Sequence, residues 1–204
     1  MEKEKKKPVD RRVKRTKKLL KDALAELLMQ KNINDITIKE IVELADVNRG
    51  TFYLHYRDIY DMLTQIETEM LLELEEIADR FPTPKLIDSP RPYIYEVFQY
   101  IAENQRFCRM LLGPYGDMAF VERLKSLVEE RCFYSLMEAY PEKARINYQY
   151  FATYTVSGCL GLLQVWLEND TNVSVKELSL VAESLIRNGM DFLSHPVESL
   201  QDPV

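Results

Sequence analysis

The sequence contains few of the residues from which disulfide frameworks and metal centres are built. Only three of its 204 residues are cysteines and only two are histidines. The three thiols, at Cys108, Cys132 and Cys159, are far apart, have no CxxC spacing and cannot all pair within one chain. We therefore expect reduced core cysteines, with a redox-sensing role as the less favoured alternative.

Catalytic signatures and membrane segments are also missing. No glycine-rich phosphate loop, metal-ligand spacing or nucleophile and base pair is visible, so we expect no enzyme, no cofactor and no bound metal. No uninterrupted apolar run approaches the roughly 18 to 20 residues of a membrane span, and the first residues, MEKEKKKP, lack the apolar core of a signal peptide. These features predict a cytoplasmic protein without a membrane partner.

The negative charge of the chain is unevenly distributed. In total there are 27 lysines and arginines against 33 aspartates and glutamates, a net charge of −6. Residues 1–60 contain 15 basic and 10 acidic residues, which leaves 12 basic and 23 acidic residues for the rest. The two parts therefore have net charges of +5 and −11, and the basic part is where a phosphate backbone would bind.

Residues 37–56, TIKEIVELADVNRGTFYLHY, predict two short helices joined by a tight corner. Thr37 followed three residues later by Glu40 forms a capping box, and apolar residues then recur at helical spacing. Asp46 interrupts that spacing, and Asn48 can cap a second helix. A short helix buried on one face, with cationic, hydroxyl and aromatic groups at its exposed start, is typical of insertion into a DNA major groove.

A longer basic helix is predicted before this pair. Asp10 can cap a helix over residues 11–30 whose apolar stripe would pack on the two short helices. Its first turns carry six lysines and arginines, among them Lys14, and this concentration opposes the helix dipole, so we expect it to contact phosphate. The prediction is a DNA-binding domain of three helices at residues 11–57, preceded by a disordered basic tail at residues 1–10.

The remainder is predicted to be helical throughout. It is organised as a connecting helix at residues 58–81, a proline-rich linker at 82–92, a regulatory and dimerisation domain at 93–195, and a tail at 196–204. The helices expected after the connector cover residues 91–103, 105–112, 118–140, 142–169 and 175–194. Because no alternating strand pattern is visible, the predicted fold class is all-α with about nine helices.

The run VNRGTFYLHYRD at residues 47–58, followed by Tyr60, Asp61, Met62 and Leu63, resembles the signature of the TetR family of bacterial transcription regulators. The later helices resemble the branch of that family whose regulatory domain is like that of dihydroxyacetone kinase operon regulators. The strongest match there is SGCLGLLQVWLE at residues 157–168. The resemblance covers residues 11–194 and implies a helix-turn-helix head joined by a long helix to a regulatory body.

The resemblance also implies how the head reads DNA. Arg49 would bond a guanine edge bidentately, Thr51 would bond a phosphate, and Tyr53 would reach a phosphate or a thymine methyl. His55 would donate to a phosphate or have a structural capping role, and Tyr56 would belong mostly to the core. The residues predicted at the DNA are Lys14, Thr37, Lys39, Asn48, Arg49, Gly50, Thr51, Tyr53, His55 and Tyr56.

One position departs from the family pattern. Family members often have a phosphate-contacting lysine where this sequence has Ile59. That contact is expected to be lost, or to be supplied by Arg57.

The regulatory domain has aromatic and methionine residues that could line a cavity for a small apolar or aromatic effector. Residues of these types at helical spacing are more often plain core. The candidates for the cavity are Phe98, Phe107, Met110, Phe133, Tyr154 and Trp166.

The last two long helices are apolar on most sides and should therefore be covered on most sides. Gly158 and Gly161 remove side chains where another backbone could approach, at a cost of roughly 1 kcal/mol each inside a helix. A two-fold four-helix bundle of two chains would offset that cost, and a monomer that packs both helices internally is the alternative. The predicted interface comprises Tyr154, Gly158, Gly161, Leu162, Val165, Leu178, Val181, Leu185 and Phe192.

Together these features predict a homodimeric, sequence-specific transcription regulator, and more specifically a repressor that a ligand releases from double-stranded operator DNA. One alternative is an activator, or a regulator that responds to a partner protein without a small-molecule site. The other is a helical protein-interaction module that does not bind DNA. Salt-sensitive DNA binding would exclude the interaction module.

Overall fold

In a computed structural model of the protein, residues 11–81, 89–112, 117–141, 145–169 and 172–194 are described. These residues form nine α-helices and one short 3-10 helix, with no strand among them. The predicted fold class is therefore confirmed. The predicted tails at residues 1–10 and 196–204, and most of the proline-rich linker, lie outside the described residues.

The chain divides into two compact units, residues 1–70 and 71–204. The first unit contains α1 (Arg11–Leu28), a 3-10 helix (Ile33–Asp35), α2 (Ile38–Leu44), α3 (Arg49–Tyr53) and the first part of α4 (Ile59–Asp79). The second unit contains α5 (Arg91–Glu103), α6 (Gln105–Leu112), α7 (Met118–Ala139), α8 (Arg145–Glu168) and α9 (Val175–Ser194). The division falls inside α4, so this helix continues from one unit into the other.

The first unit is built around one small apolar core. Helix α1 packs on α2, and α2 packs on α3. The side chains of Leu20, Leu24, Ile41, Phe52 and Met62 are fully buried. Since these residues come from four helices, the core fixes the orientation of the short helix α3.

Local hydrogen bonds begin and end the two short helices. At the start of α2 the predicted capping box is present: Glu40 N donates to Thr37 Oγ1 at 3.3 Å, and Thr37 N donates to Glu40 Oε2 at 2.9 Å. After α2 the backbone of Asp46 has a φ of 51°, a left-handed conformation that aspartate tolerates better than most residues and that reverses the chain. At the start of α3, Thr51 N donates to Asn48 Oδ1 at 3.2 Å.

The capping box predicts a pH dependence of stability. Hydrogen bonds to the carboxylate lower the pKa of Glu40 from 4.5 to about 2. The largest effect comes from Lys31, whose Nζ lies 2.6 Å from Glu40 Oε1, and the backbone N–H and hydroxyl of Thr37 add to it. The stabilising effect of the carboxylate is therefore complete above pH 4.5 and is lost as the pH falls through about 2. In thermal melts, Glu40→Gln should have a lower melting temperature than wild type at pH 7, and the difference should shrink in acid.

The control for that experiment is Glu43→Gln. Glu43 lies on the same helix, and its carboxylate is 3.8 Å from Lys39 with both side chains largely exposed, so it should have little effect at either pH. A Glu40→Gln difference of equal size at pH 7 and at pH 2 would contradict the proposed linkage.

In the second unit, α8 packs against α7 and α9, and α9 also packs against α5. A core cluster of Leu136, Tyr148 and Phe151 joins α7 to α8. At the start of α9 there is a second capping box, because Glu177 N donates to Ser174 Oγ at 3.2 Å and Ser174 N donates to Glu177 Oε2 at 3.0 Å. No described helix is long and apolar enough to cross a membrane.

Candidate functional site

Helix α3 buries one face and exposes the other. Phe52 is fully buried, whereas Arg49 and Gly50 are exposed and Tyr53 is 49% exposed. Thr51 is half-buried. The exposed residues lie at the start of the helix and one turn later, which is the arrangement that a recognition helix presents to base edges.

The side chain of Arg49 is held along the surface of α3. Its Nη2 donates to Tyr53 Oη at 3.1 Å, and its guanidinium carbon lies 5.7 Å from the centre of the Tyr53 ring. A guanidinium has five N–H donors, so most of them remain for a ligand. The contact therefore orders Arg49 before it meets a partner and leaves it able to bond two acceptors on one base edge.

Three of the residues predicted at the DNA take part in the structure of α2 and α3. Thr37 Oγ1 donates to Glu40 Oε2 at 2.8 Å as well as accepting from the backbone, and the Asn48 side chain caps α3. A Cβ at Gly50 would lie 3.0 Å from Asn48 Oδ1, so any side chain there would disturb that cap. These residues position the recognition helix, whatever contacts they also make.

The structure corrects the placement of Tyr56 among the DNA-contacting residues. Its side chain is only 3% exposed and packs against Phe52, with ring centres 5.6 Å apart. Burial, with smaller contributions from Glu69 and Asp61, raises the pKa of the Tyr56 hydroxyl above its usual range. Tyr56 belongs to the core, while the neighbouring His55 is half-buried.

The predicted basic contacts are exposed. Lys14 is exposed on α1, as are Arg11, Arg15 and Lys18 in the same turns, and the Lys39 side chain is 77% exposed on α2. These cations are free of burial and able to approach a phosphate backbone. They lie in residues 1–60, the part of the sequence that has a net positive charge.

Ile59 offers no phosphate contact, because its side chain is only 9% exposed and points into the head. The adjacent cation is Arg57, whose side chain is 85% exposed. Arg57 N donates to Asp61 Oδ2 at 2.8 Å, and its Nη2 lies 3.3 Å from Oδ1. Arg57 is therefore the exposed cation next to Ile59 in this turn, and its guanidinium is paired with Asp61.

Leu54, which is not among the residues predicted at the DNA, is 80% exposed directly after α3. An exposed leucine beside the recognition residues has the apolar surface that a thymine methyl group would contact. The exposure of Leu54 could be inferred from its position between Tyr53 and His55, because it lies off the helical face that Phe52 and Tyr56 share.

A cavity of about 170 Å³ lies within the second unit, walled mainly by α5, α7 and α8. Of the six predicted cavity residues only Phe98 lines it. The residues that give the cavity its chemistry were not predicted from the sequence; they are Tyr93, Lys125, Arg131, Cys132, Thr155 and Cys159.

The other five predicted cavity residues have different surroundings. Phe107 and Met110 are buried in α6 and do not line the cavity, and Phe133 packs on the cluster that joins α7 to α8. Tyr154 is 63% exposed. Trp166 is buried, and its Nε1 donates to Val173 O at 2.7 Å, so it anchors the segment before α9. These five residues do not line this cavity, because helical spacing does not reveal which apolar face borders a void.

An exposed apolar stripe runs along α8 and α9. On α8 it contains Tyr154, Val165 (56% exposed) and the glycines at 158 and 161, around which an added Cβ would meet no atom within 4 Å. On α9 it contains Val181 and Leu185, 47% and 49% exposed. Leu162 is half-buried, and the side chain of Phe192 is outside the described part of the structure. Leu178 is different, because it is only 7% exposed and so is covered by its own chain.

Comparison with known proteins agrees with this division into two units. A sequence profile described as "Bacterial regulatory proteins, tetR family" matches residues 20–66, and one described as "Transcriptional regulator C-terminal region" matches residues 88–188. The chain belongs to the TetR family. As a member of that family it is a DNA-binding transcription regulator, and the resemblance found in the sequence is confirmed.

Individual TetR-family relatives are distant. One is an uncharacterized HTH-type transcriptional regulator of Bacillus subtilis (strain 168), YxbF, which is 30% identical over 97 residues. That match covers 46% of this chain, and the chain spans 26% of the relative's length.

Solved structures show the same fold at low sequence identity. The fatty acid degradation regulator FadR from Bacillus halodurans is 13% identical with a TM-score of 0.67, over 91% of this chain and 98% of that one. A TetR transcriptional regulator from Streptococcus agalactiae 2603V is 22% identical with a TM-score of 0.54, over 87% and 96%. The dihydroxyacetone kinase operon activator DhaS is 13% identical with a TM-score of 0.55, over 87% and 97%.

Proposed function

We propose that this TetR-family regulator is a cytoplasmic, homodimeric repressor that reads a specific operator and is released from it by a small ligand. The observation that carries the proposal is the exposed face of α3, on which Tyr53 orders Arg49 beside the exposed Leu54. A cation ordered in this way has the geometry for a bidentate contact with a guanine edge, and the leucine offers an apolar contact for thymine. Exposed cations of α1 and α2 would contact phosphates.

The dimer would form through the exposed stripe of α8 and α9. The chain leaves apolar faces of both helices exposed, with Tyr154 and Val165 on α8 and Val181 and Leu185 on α9, and a second copy can bury this surface. The open glycines at 158 and 161 would let the partner's helix approach closely. Each head would then occupy one half-site of a near-palindromic operator, with half-site centres roughly 34 to 36 Å apart or a multiple of that distance.

Release would act through α4, the helix that continues from the body into the head. Leu74 of α4 lines the cavity. Arg131, also on the cavity wall, bonds the end of α4 through Asp79 Oδ1 and Ala78 O, both at 2.7 Å. A ligand that repositions these groups would favour a different placement of α4, and its effect on DNA binding would equal its differential affinity for the two states.

The test is footprinting of the purified protein on the DNA upstream of its own gene, at two salt concentrations. We expect a protected, near-palindromic site whose affinity falls by about 10³ to 10⁵ between 50 and 200 mM salt if 6 to 10 phosphates are contacted. Protection no stronger than on unrelated DNA would contradict specific binding. A gene deletion then tests the direction of regulation, because a repressor predicts more transcription from the site and an activator predicts less.

A further inference from the structure

We propose that the cavity of the second unit binds a neutral aromatic ligand of one ring with a single hydroxyl group, and that Thr155 recognises that hydroxyl. Binding itself is independent of the proposed function, whereas the regulatory consequence of binding rests on it. Four properties of the cavity lead to this ligand class.

The first property is size. An engineered cavity of roughly 150 Å³ lined by Leu, Ile and Phe stays dry and binds benzene. The cavity here measures about 170 Å³, and most of its wall is aliphatic or aromatic, including Ile94, Phe98 and Leu160. One ring with small substituents fits that volume and gains from burial of its apolar surface.

The second property is an unused hydrogen-bonding group. Thr155 lines the cavity, and its Oγ1 is buried without a hydrogen-bond partner among the described residues. Buried hydroxyls in folded proteins nearly always have a partner, so an exception needs an explanation. A ligand hydroxyl supplies one, because both groups can donate and accept.

The third property is that the cations of the wall are already paired. Arg131 bonds Asp79 Oδ1 and Ala78 O, and Lys125 Nζ lies 3.5 Å from Glu122 Oε1. An anionic ligand would have to compete with these carboxylates for the cations or leave its charge in an apolar cavity, where an unpaired charge is unfavourable. The ligand is therefore neutral.

The fourth property is that the wall carries no reactive thiolate. Burial raises the pKa of Cys132 to about 12, with Cys159 adding to the effect, and burial raises the pKa of Cys159 to about 11. Both thiols are therefore protonated at neutral pH and act as small, weakly polar surfaces. Recognition is non-covalent, and the two thiols tolerate an aromatic ring beside them.

The experiment compares three probes of nearly the same shape by calorimetric titration of the full-length protein at pH 7.5. The probes are toluene, p-cresol and 4-methylbenzoate. We expect p-cresol to bind about fivefold more tightly than toluene, the factor that one net hydrogen bond contributes. The carboxylate of 4-methylbenzoate should weaken its binding at least about tenfold relative to p-cresol.

Two substitutions isolate the hydroxyl of Thr155. Thr155→Val keeps the shape and should abolish the preference for p-cresol while leaving toluene binding unchanged. Thr155→Ser keeps the hydroxyl and should retain the preference. If Thr155→Val fails to fold, the three probes on wild type and Thr155→Ser still decide the ligand class.

Three results would overturn the inference: no binding by any probe, tighter binding of 4-methylbenzoate than of p-cresol, or an undiminished p-cresol preference in Thr155→Val. None of these results depends on DNA. Footprinting without ligand tests the proposed function separately. Loss of operator protection on adding p-cresol would show that ligand binding in the cavity controls DNA binding.

Discussion

Arg49→Ala should lower the affinity for the operator by about 5- to 150-fold, because a bidentate arginine–guanine contact discriminates by roughly 1 to 3 kcal/mol. The loss should be confined to operators that have the guanine, so that the variant no longer distinguishes them from operators with another base there. The side chain is exposed and donates a hydrogen bond to Tyr53 on the same short helix, so folding should be unaffected. Binding titrations on the operator and on single-base variants measure both effects.

Two further variants distinguish base recognition by Arg49 from phosphate binding and from the ordering of the Arg49 side chain by Tyr53. Lys14→Ala, in the exposed basic part of α1, should weaken binding to all DNA alike and lower the salt slope by about 1. Tyr53→Phe removes the hydroxyl that accepts from Arg49 but keeps the ring, so it should have a smaller effect than Arg49→Ala. An Arg49→Ala variant that binds every operator with wild-type affinity would refute the assignment of Arg49 as a base-reading residue.

The double variant Tyr154→Glu, Val165→Glu should convert the proposed dimer into monomers and weaken operator binding by about 10² to 10⁴, the range that linking two binding modules commonly contributes. Both side chains are more than half exposed on the stripe of α8, so the isolated chain should tolerate the change. In a two-fold interface each substitution occurs twice, which would place four carboxylates in an apolar contact. Light scattering measures the mass, and titration on full and half operators measures the loss of linkage.

Tyr134→Glu provides the matched control. Tyr134 is 58% exposed on α7, off the stripe of α8 and α9, so the same change there should leave the dimer and operator binding intact. If the wild type is a monomer at micromolar concentration, or if the double variant remains a dimer, the stripe is not the interface.

The helices were predictable because their boundaries are set by local chemistry. The capping boxes at Thr37 and Ser174 act within three residues, and so the sequence located the starts of α2 and α9 correctly. Helices at 91–103, 105–112 and 175–194 have the predicted bounds, whereas α1 ends at Leu28, two residues before the predicted end. The three-residue step from Asn48 to Thr51 likewise placed the start of α3.

The surroundings of individual side chains were decided by tertiary structure. Helical spacing shows that Phe52 and Tyr56 share one face, but only the packing of α1 on α2 and of α2 on α3 makes that face the core and leaves Leu54 exposed. The cavity depends on tertiary packing even more clearly, because Phe98, Cys132 and Thr155 come from three helices that are far apart in the chain. The sequence by itself therefore determined the family, the order of the helices and the basic character of the head. Which apolar residues border a void, and which hydroxyl is left without a partner, depended on how the helices pack, because a void is a property of several surfaces and of no single one.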